Sequence, residues 1–132
     1  MTASDPIAPL RAWLVQWHTA VQQRDFEKGK TMCAPDMVAF GTVAPFVTGI
    51  DEVMKAQWHH VWPNTRGFTI DVAGARGEIV GDRAWVAATW DSIGFRPDGT
   101  EFARPGRCTI IFARRDGRWL ATHTHFSLTP RS

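Results

Sequence analysis

The change of hydrophobic period at Gly67 constrains the fold more than any other feature of this chain. Before it, apolar residues recur at helical spacing: Ile7, Leu10, Trp13, Leu14, Trp17 and Val21 form one stripe, and Ile50, Val53, Met54, Trp58, Val61 and Trp62 form another. After it come four runs rich in β-branched and aromatic residues, Phe68 to Val80, Arg83 to Phe95, Glu101 to Arg114 and Arg118 to Leu128. Gly81-Asp82, Asp98-Gly99 and Asp116-Gly117 punctuate them, and turns that short join neighbouring strands as hairpins. Helices first and hairpin-linked strands after predict an α+β domain, with helices on one face of a strongly curved antiparallel sheet.

Local signals set the boundaries. Asp5 reads as an N-cap with Pro6 at the first helical position, and the helix runs to about Arg24. A short second helix covers Asp25 to Met32, capped by Asp25 and ended ahead of Pro35. Asp36 to Phe40 reads as a strand, and Thr48-Gly49-Ile50-Asp51 opens a third helix that Pro63 stops. A chain of 132 residues supports one core, so residues 1–132 are expected to be a single domain. Seven Trp and eight Phe within a 44% hydrophobic composition argue for a packed interior over disorder.

Charge and motifs remove several classes of function. The net charge is +2 and the arginines are scattered from Arg11 to Arg131, so no nucleic-acid partner is expected. The chain shows neither a signal-peptide pattern nor a run of roughly 20 apolar residues, which predicts a cytoplasmic protein without a membrane partner. Cys33 and Cys108 lack metal-site spacing and read as buried thiols. Gly74, Gly77 and Gly81 lie in or between strands with no following helix, so no nucleotide fingerprint is present and no cofactor is expected. Gly94 and Gly106 read as bends that curve the sheet.

Three residues are candidates for proton transfer: His123, His125 and Asp91. On a strand the two histidines share one face, with Cα atoms roughly 6.5–7 Å apart. A two-residue turn at Asp116-Gly117 sets Ile110 opposite His123 and Cys108 opposite His125; a three-residue loop with a bulge sets Thr109 and Arg107 there instead. The pair could act as a general acid or base, contribute to a metal site that lacks an evident third ligand, or form a hydrogen-bonded cluster at a subunit interface. No metal is expected. Asp91 runs against β-propensity in a strand interior, which suits either a role in a site or an exposed edge. Glu101 and Asp71 are weaker candidates near strand ends, while Asp25 and Asp36 fit capping. Trp17 and Trp58 fall on the helical stripes as core or pocket wall; His18 flanks its stripe and could reach a cavity mouth, and His59 and His60 fall off theirs. The chain has no Tyr, which excludes any mechanism that needs a phenol.

The element order resembles the NTF2-like fold, a cone of curved sheet closed by helices around a pocket. Asp25-Phe26-Glu27, Met32-Cys33-Ala34-Pro35, Met37, Ala39-Phe40 and Val47-Thr48-Gly49-Ile50-Asp51 resemble the association (hub) domain of calcium/calmodulin-dependent protein kinase. Arg114-Arg115-Asp116-Gly117-Arg118-Trp119 and His123-Thr124-His125-Phe126-Ser127 extend the likeness to the C-terminus, an ending shared with bacterial SnoaL-like proteins. The fold hosts isomerases, cyclases, dehydratases, hydrolases and assembly modules. The hub's pocket arginines and its helix-two Tyr, which suit a small carboxylate ligand, correspond here to Trp90, Ile110, Phe126 and Gly29, and that departure from the hub implies an apolar pocket for a neutral or aromatic small molecule. Its expected walls are Trp17, Phe40, Trp58, Trp90, Ile110, Phe112 and Phe126. Placing Ile110 and Phe126 on one face selects the Thr109 and Arg107 register and puts the histidines on the other. Related isomerases pair a carboxylate base with Tyr and a protonated Asp, a set this chain cannot assemble without Tyr. Exposed aromatic and β-branched rows on the outer face of a curved sheet need covering, so a homo-oligomer, a dimer at least, is expected, and the resemblance alone adds a larger ring as an alternative. The leading expectation is a small-molecule-binding protein that could work as a cofactor-free isomerase, cyclase, dehydratase or hydrolase; the alternative is a non-catalytic assembly or ligand-sensing module.

Overall fold

The computed structural model describes residues 4–130; Met1 to Ala3 and Arg131-Ser132 lie outside the described residues. Helix α1 (Ala8–Gln23) carries the first stripe, and Leu10, Trp13, Leu14, Trp17 and Val21 are all buried. Asp5 caps the turn ahead of the helix: its Oδ1 accepts the Ile7 N–H at 3.1 Å, and its Oδ2 accepts from Arg11 Nε at 2.7 Å. Helix α2 (Phe26–Thr31) starts where expected, with the Asp25 carboxylate accepting the Lys28 N–H at 3.1 Å. The third helix, α3, changes gauge along its length. It opens as an α-turn (Ile50–Val53), widens into a π-helix (Met54–Trp58), returns to α (His59–Val61) and tightens to 3-10 (Trp62–Asn64).

Eight strands form one sheet: β1 (Cys33–Phe40), β2 (Val47–Thr48), β3 (Thr65–Ile70), β4 (Arg76–Val80), β5 (Arg83–Phe95), β6 (Glu101–Ala103), β7 (Gly106–Arg115) and β8 (Arg118–Leu128). The order is β2-β1-β8-β7-β5-β3, with β4 and β6 also paired to β5. The sheet is curved and mixed, since β1 runs parallel to β8 while the other pairs are antiparallel. Two of the four long runs are interrupted. The first breaks at Asp71, whose carboxylate accepts the Gly74 N–H at 3.0 Å and turns the chain between β3 and β4. The second breaks at Arg104-Pro105, because proline has no N–H to give a ladder.

The hairpin between β7 and β8 combines features of both anticipated registers. Asp116-Gly117 is a two-residue turn with positive φ at both residues, and Arg115 pairs with Arg118. Pairing then proceeds evenly to Phe112 opposite Ala121, where one residue is added: Ile111 faces His123, so Thr122 is a bulge. The Thr122 hydroxyl donates to the Ile111 carbonyl at 3.2 Å. Neither Thr109 nor Ile110 faces His123, and Thr109 faces His125.

The bulge reverses the strand's alternation. Ala121 points into the core, but beyond Thr122 it is Thr124 and Phe126 that point inward, leaving His123 and His125 on the outer face. The inner face carries Met37, Ala39, Val86, Trp90, Ile110 and Phe112 against α1 and α3. Cys33 and Cys108 are buried free thiols; burial pushes both up, Cys108 to about 12, which keeps them protonated. Among the described residues no helix is long and apolar enough to cross a membrane.

Candidate functional site

A cavity of about 50 Å³ lies between α1, α3 and the inner face of the sheet. Trp17, Trp58, Trp90 and Phe126 line it as anticipated, joined by Trp62 and Phe68. The rings form one cluster around Trp17. Its centroid lies 5.1 Å from Trp13, 5.1 Å from Trp58, 5.6 Å from Trp62 and 6.4 Å from Phe126. The room beside Gly29 is taken by indoles: a Cβ there would meet Trp62 at 2.8 Å and Trp58 at 3.1 Å. The aromatic side chains thus occupy most of the cone and leave a small residual space.

Three expected wall residues are elsewhere. Phe40 lies on the outer face of β1, where its ring packs edge-on against His123 at 5.2 Å and His125 at 5.0 Å. Strand alternation explains this, since Met37 and Ala39 take the inward positions. Ile110 and Phe112 do point inward, but they are wholly covered by core neighbours and do not reach the cavity.

The proton-transfer candidates are also outside it. His123 is half-buried on the outer face, with its Nδ1 donating to the Val38 carbonyl at 3.0 Å, and His125 is exposed beside it. Asp91 is exposed between the inward-facing Trp90 and Ser92, so it faces solvent. Glu101 pairs with Arg66, and Asp71 serves its turn. His18 ties helix to sheet: its Nδ1 accepts the Ile70 N–H at 3.1 Å, and burial lowers its pKa. His59 packs edge-on against Phe26 at 4.6 Å. Among the described residues no group of three or more His, Cys, Asp or Glu is arranged to hold a metal ion.

Arg104, Gln57, Thr42 and Thr65 are the polar lining residues that the sequence reading did not single out, and the Thr65 hydroxyl already donates to the Val61 carbonyl at 3.1 Å. Arg104 is half-buried, follows β6, and has its backbone fixed twice by buried Ser92. Its N–H donates to the Ser92 carbonyl at 2.8 Å, and its carbonyl accepts from the Ser92 hydroxyl at 3.2 Å. Its guanidinium donates to Thr42 Oγ1 at 3.0 Å and lies 5.9 Å from the Trp90 ring centre. Burial lowers its pKa from the ordinary guanidinium value, and arginine remains charged across the accessible pH range. Gln57 belongs to the π-helical segment and is 5% exposed; its Nε2 has no hydrogen-bond partner. Trp90, 3% exposed, likewise has an unpartnered Nε1.

Each of these three side chains rests against a glycine. A Cβ on Gly41 would meet the Gln57 amide carbon at 2.5 Å, one on Gly94 the Arg104 Cδ at 2.5 Å, and one on Gly106 the Trp90 Cζ2 at 2.1 Å. Gly94 and Gly106 therefore supply room for these side chains, where the sequence suggested bends. Gln57 had a legible signal, a polar residue on the buried stripe of Val53, Met54, Trp58 and Val61. Arg104 had none, because its placement depends on the break at Pro105.

A family model for the SnoaL-like domain matches residues 10–131. Among solved structures, a nuclear transport factor 2 (NTF2-like) superfamily protein from Salmonella enterica superposes with a TM-score of 0.80 at 16% identity, covering 93% of this chain and 90% of that one. A ketosteroid isomerase-like protein from Erwinia carotovora atroseptica gives 0.80 at 16% identity, covering 98% and 100%. The association domain of CaMKII from C. elegans gives 0.65 at 21% identity, covering 92% of each. At these identities the structures establish the shared fold alone. No curated protein matches the sequence. The family match runs through nearly every helix and strand described above, and the chain belongs to the SnoaL-like domain family.

Proposed function

We propose that this SnoaL-like domain binds a small organic molecule in its aromatic cavity, and does so without acid–base chemistry from its own side chains. One observation carries the reading. Among the described lining residues Arg104 is the one charged group, and no carboxylate, imidazole or thiol joins it. A general base must come within hydrogen-bond reach of its proton, and His123, His125 and Asp91 are on the far side of the sheet or facing solvent. Buried aromatic walls with a few unpaired polar groups are the ordinary make-up of a small-ligand site.

A second reading concerns assembly. Trp85 and Ile111 are cross-strand partners on the outer face, 42% and 41% exposed, with His123 and His125 on the same face. An exposed aromatic–aliphatic pair on an uncovered sheet face favours burial against a second copy, and the CaMKII neighbour is by name an association domain. The protein is then a homodimer or larger, with the histidines near the interface.

A native mass spectrum of gently purified protein tests both. The expected result is a dimer that carries a small organic adduct. A ligand-free spectrum, together with no thermal stabilisation by any of a panel of small aromatic and aliphatic compounds, contradicts the binding reading; a monomer at all concentrations contradicts the assembly reading.

A further inference from the structure

The cavity has an imbalance of hydrogen-bonding character. Indole N–H and guanidinium groups only donate, and Gln57 presents an unpartnered amide nitrogen. The Thr42 hydroxyl accepts one Arg104 N–H, and no carboxylate lies in ion-pair reach of Arg104 among the described residues. The site thus presents three donor groups, one of them a cation, in aromatic surroundings: the Trp90 and Gln57 nitrogens have no protein partner, and the Arg104 charge has no counter-charge among the described residues. Buried donors are normally paired, and a partly buried cation is normally matched. An occupant that accepts hydrogen bonds and carries negative charge satisfies both rules at once.

We infer that the ligand is a small monocarboxylate, its carboxylate group held by the Arg104 guanidinium together with the Gln57 amide and the Trp90 indole N–H. This rests on the cavity being the binding site. Guanidinium and carboxylate match as forks, which fixes orientation as well as charge. The size agrees: about 50 Å³ holds one or two water-sized groups, the bulk of a carboxylate, so the rest of the ligand extends past the half-buried Arg104. A neutral ligand would leave the cation unmatched, and a phosphate dianion would bring more charge than one guanidinium answers. The withdrawal of Arg104 from water that lowers its pKa also strengthens its attraction to an anion. The ligand class is therefore the reverse of the neutral molecule that the apolar strand positions suggested. The charge comes from a position outside those strands.

The support around the three groups points the same way. Ser92 holds the Arg104 backbone from both sides, and Gly94, Gly41 and Gly106 leave room for the arginine stem, the amide and the indole.

Calorimetric titration of the full chain with propionate and benzoate, each against its amide, tests the inference. Both carboxylates are expected to bind at least tenfold tighter than propionamide and benzamide. Arg104→Gln should erase that preference, lowering carboxylate affinity at least tenfold more than amide affinity, and Arg104→Lys should retain part of it. Gln57→Leu should weaken carboxylate binding while raising the melting temperature of the ligand-free protein, because it removes an unpaired buried amide. Amides that bind as tightly as the acids, or a preference that survives both Arg104 variants, overturn the carboxylate inference and leave the cavity reading standing. Failure of all four compounds to bind overturns both.

Discussion

Replacing Trp17 with alanine is expected to lower the unfolding free energy by about 3–5 kcal/mol, the range for removing a large buried aromatic. Trp17 is 2% exposed and is the ring around which the cluster is organised, stacked on Trp13 and edge-on to both Trp58 and Trp62. Alanine would remove contacts to α3 and to Phe126 of β8 at once, and the neighbouring indoles cannot all close the gap without leaving their own partners. Urea titration reads the effect as a drop in midpoint at unchanged slope. A loss under about 1.5 kcal/mol, a typical cost for a volume-conserving core swap, would mean that Trp17 fills space without organising the interior.

The second large effect comes from adding a methyl group. Gly106→Ala would set a Cβ 2.1 Å from Trp90 Cζ2 and 2.6 Å from the Ser127 carbonyl oxygen. Two sides of the clash are costly to move: Ser127 is backbone in the paired β8, and the indole is flanked by Phe68 and Phe126. Overpacking of this kind costs about 1–3 kcal/mol. The displaced indole also carries one of the three donors, so carboxylate binding should fall at least tenfold, a shift of about 1.4 kcal/mol. Wild-type affinity in this variant would show that the Trp90 N–H does not contact the ligand.

Much of the architecture was legible because it follows from period and punctuation. The stripe from Ile7 to Val21 fixes α1, Asp25 caps α2, and the Asp116-Gly117 turn sets the last hairpin. What escaped is local and small in sequence terms. One added residue at Thr122 decides which face His123 and His125 occupy, and a bulge leaves no mark in a run of strand-forming residues. The expected face was right, yet the register that suggested it was not the one formed. Phe40 was misplaced for a similar reason: strand β1 extends back through Pro35 to Cys33, and its inward phase is set by Met37 and Ala39.

The chemistry of the site was the least legible part. The four aromatic wall residues Trp17, Trp58, Trp90 and Phe126 could be found by stripe and strand position. The polar character could not, since Arg104 reaches the cavity only because Pro105 ends a strand and Ser92 captures the backbone beside it. Counting charges at the strand positions therefore missed the cation that defines the ligand.

The central claim is that ligand meets this protein at Trp90 and Arg104 inside the cone, and not at the histidine face outside it. Nuclear magnetic resonance of the indole N–H groups tests it most directly. Of the seven tryptophans, Trp13 already donates to the Met32 carbonyl at 3.2 Å whereas the Trp90 N–H has no partner, so a new hydrogen bond should be visible at Trp90. On addition of benzoate, the indole signal that disappears in Trp90→Phe is expected to move downfield, while the ring signals of His123 and His125 stay in place. Movement of the histidine signals with the Trp90 signal fixed would contradict the account and move the binding site to the outer face.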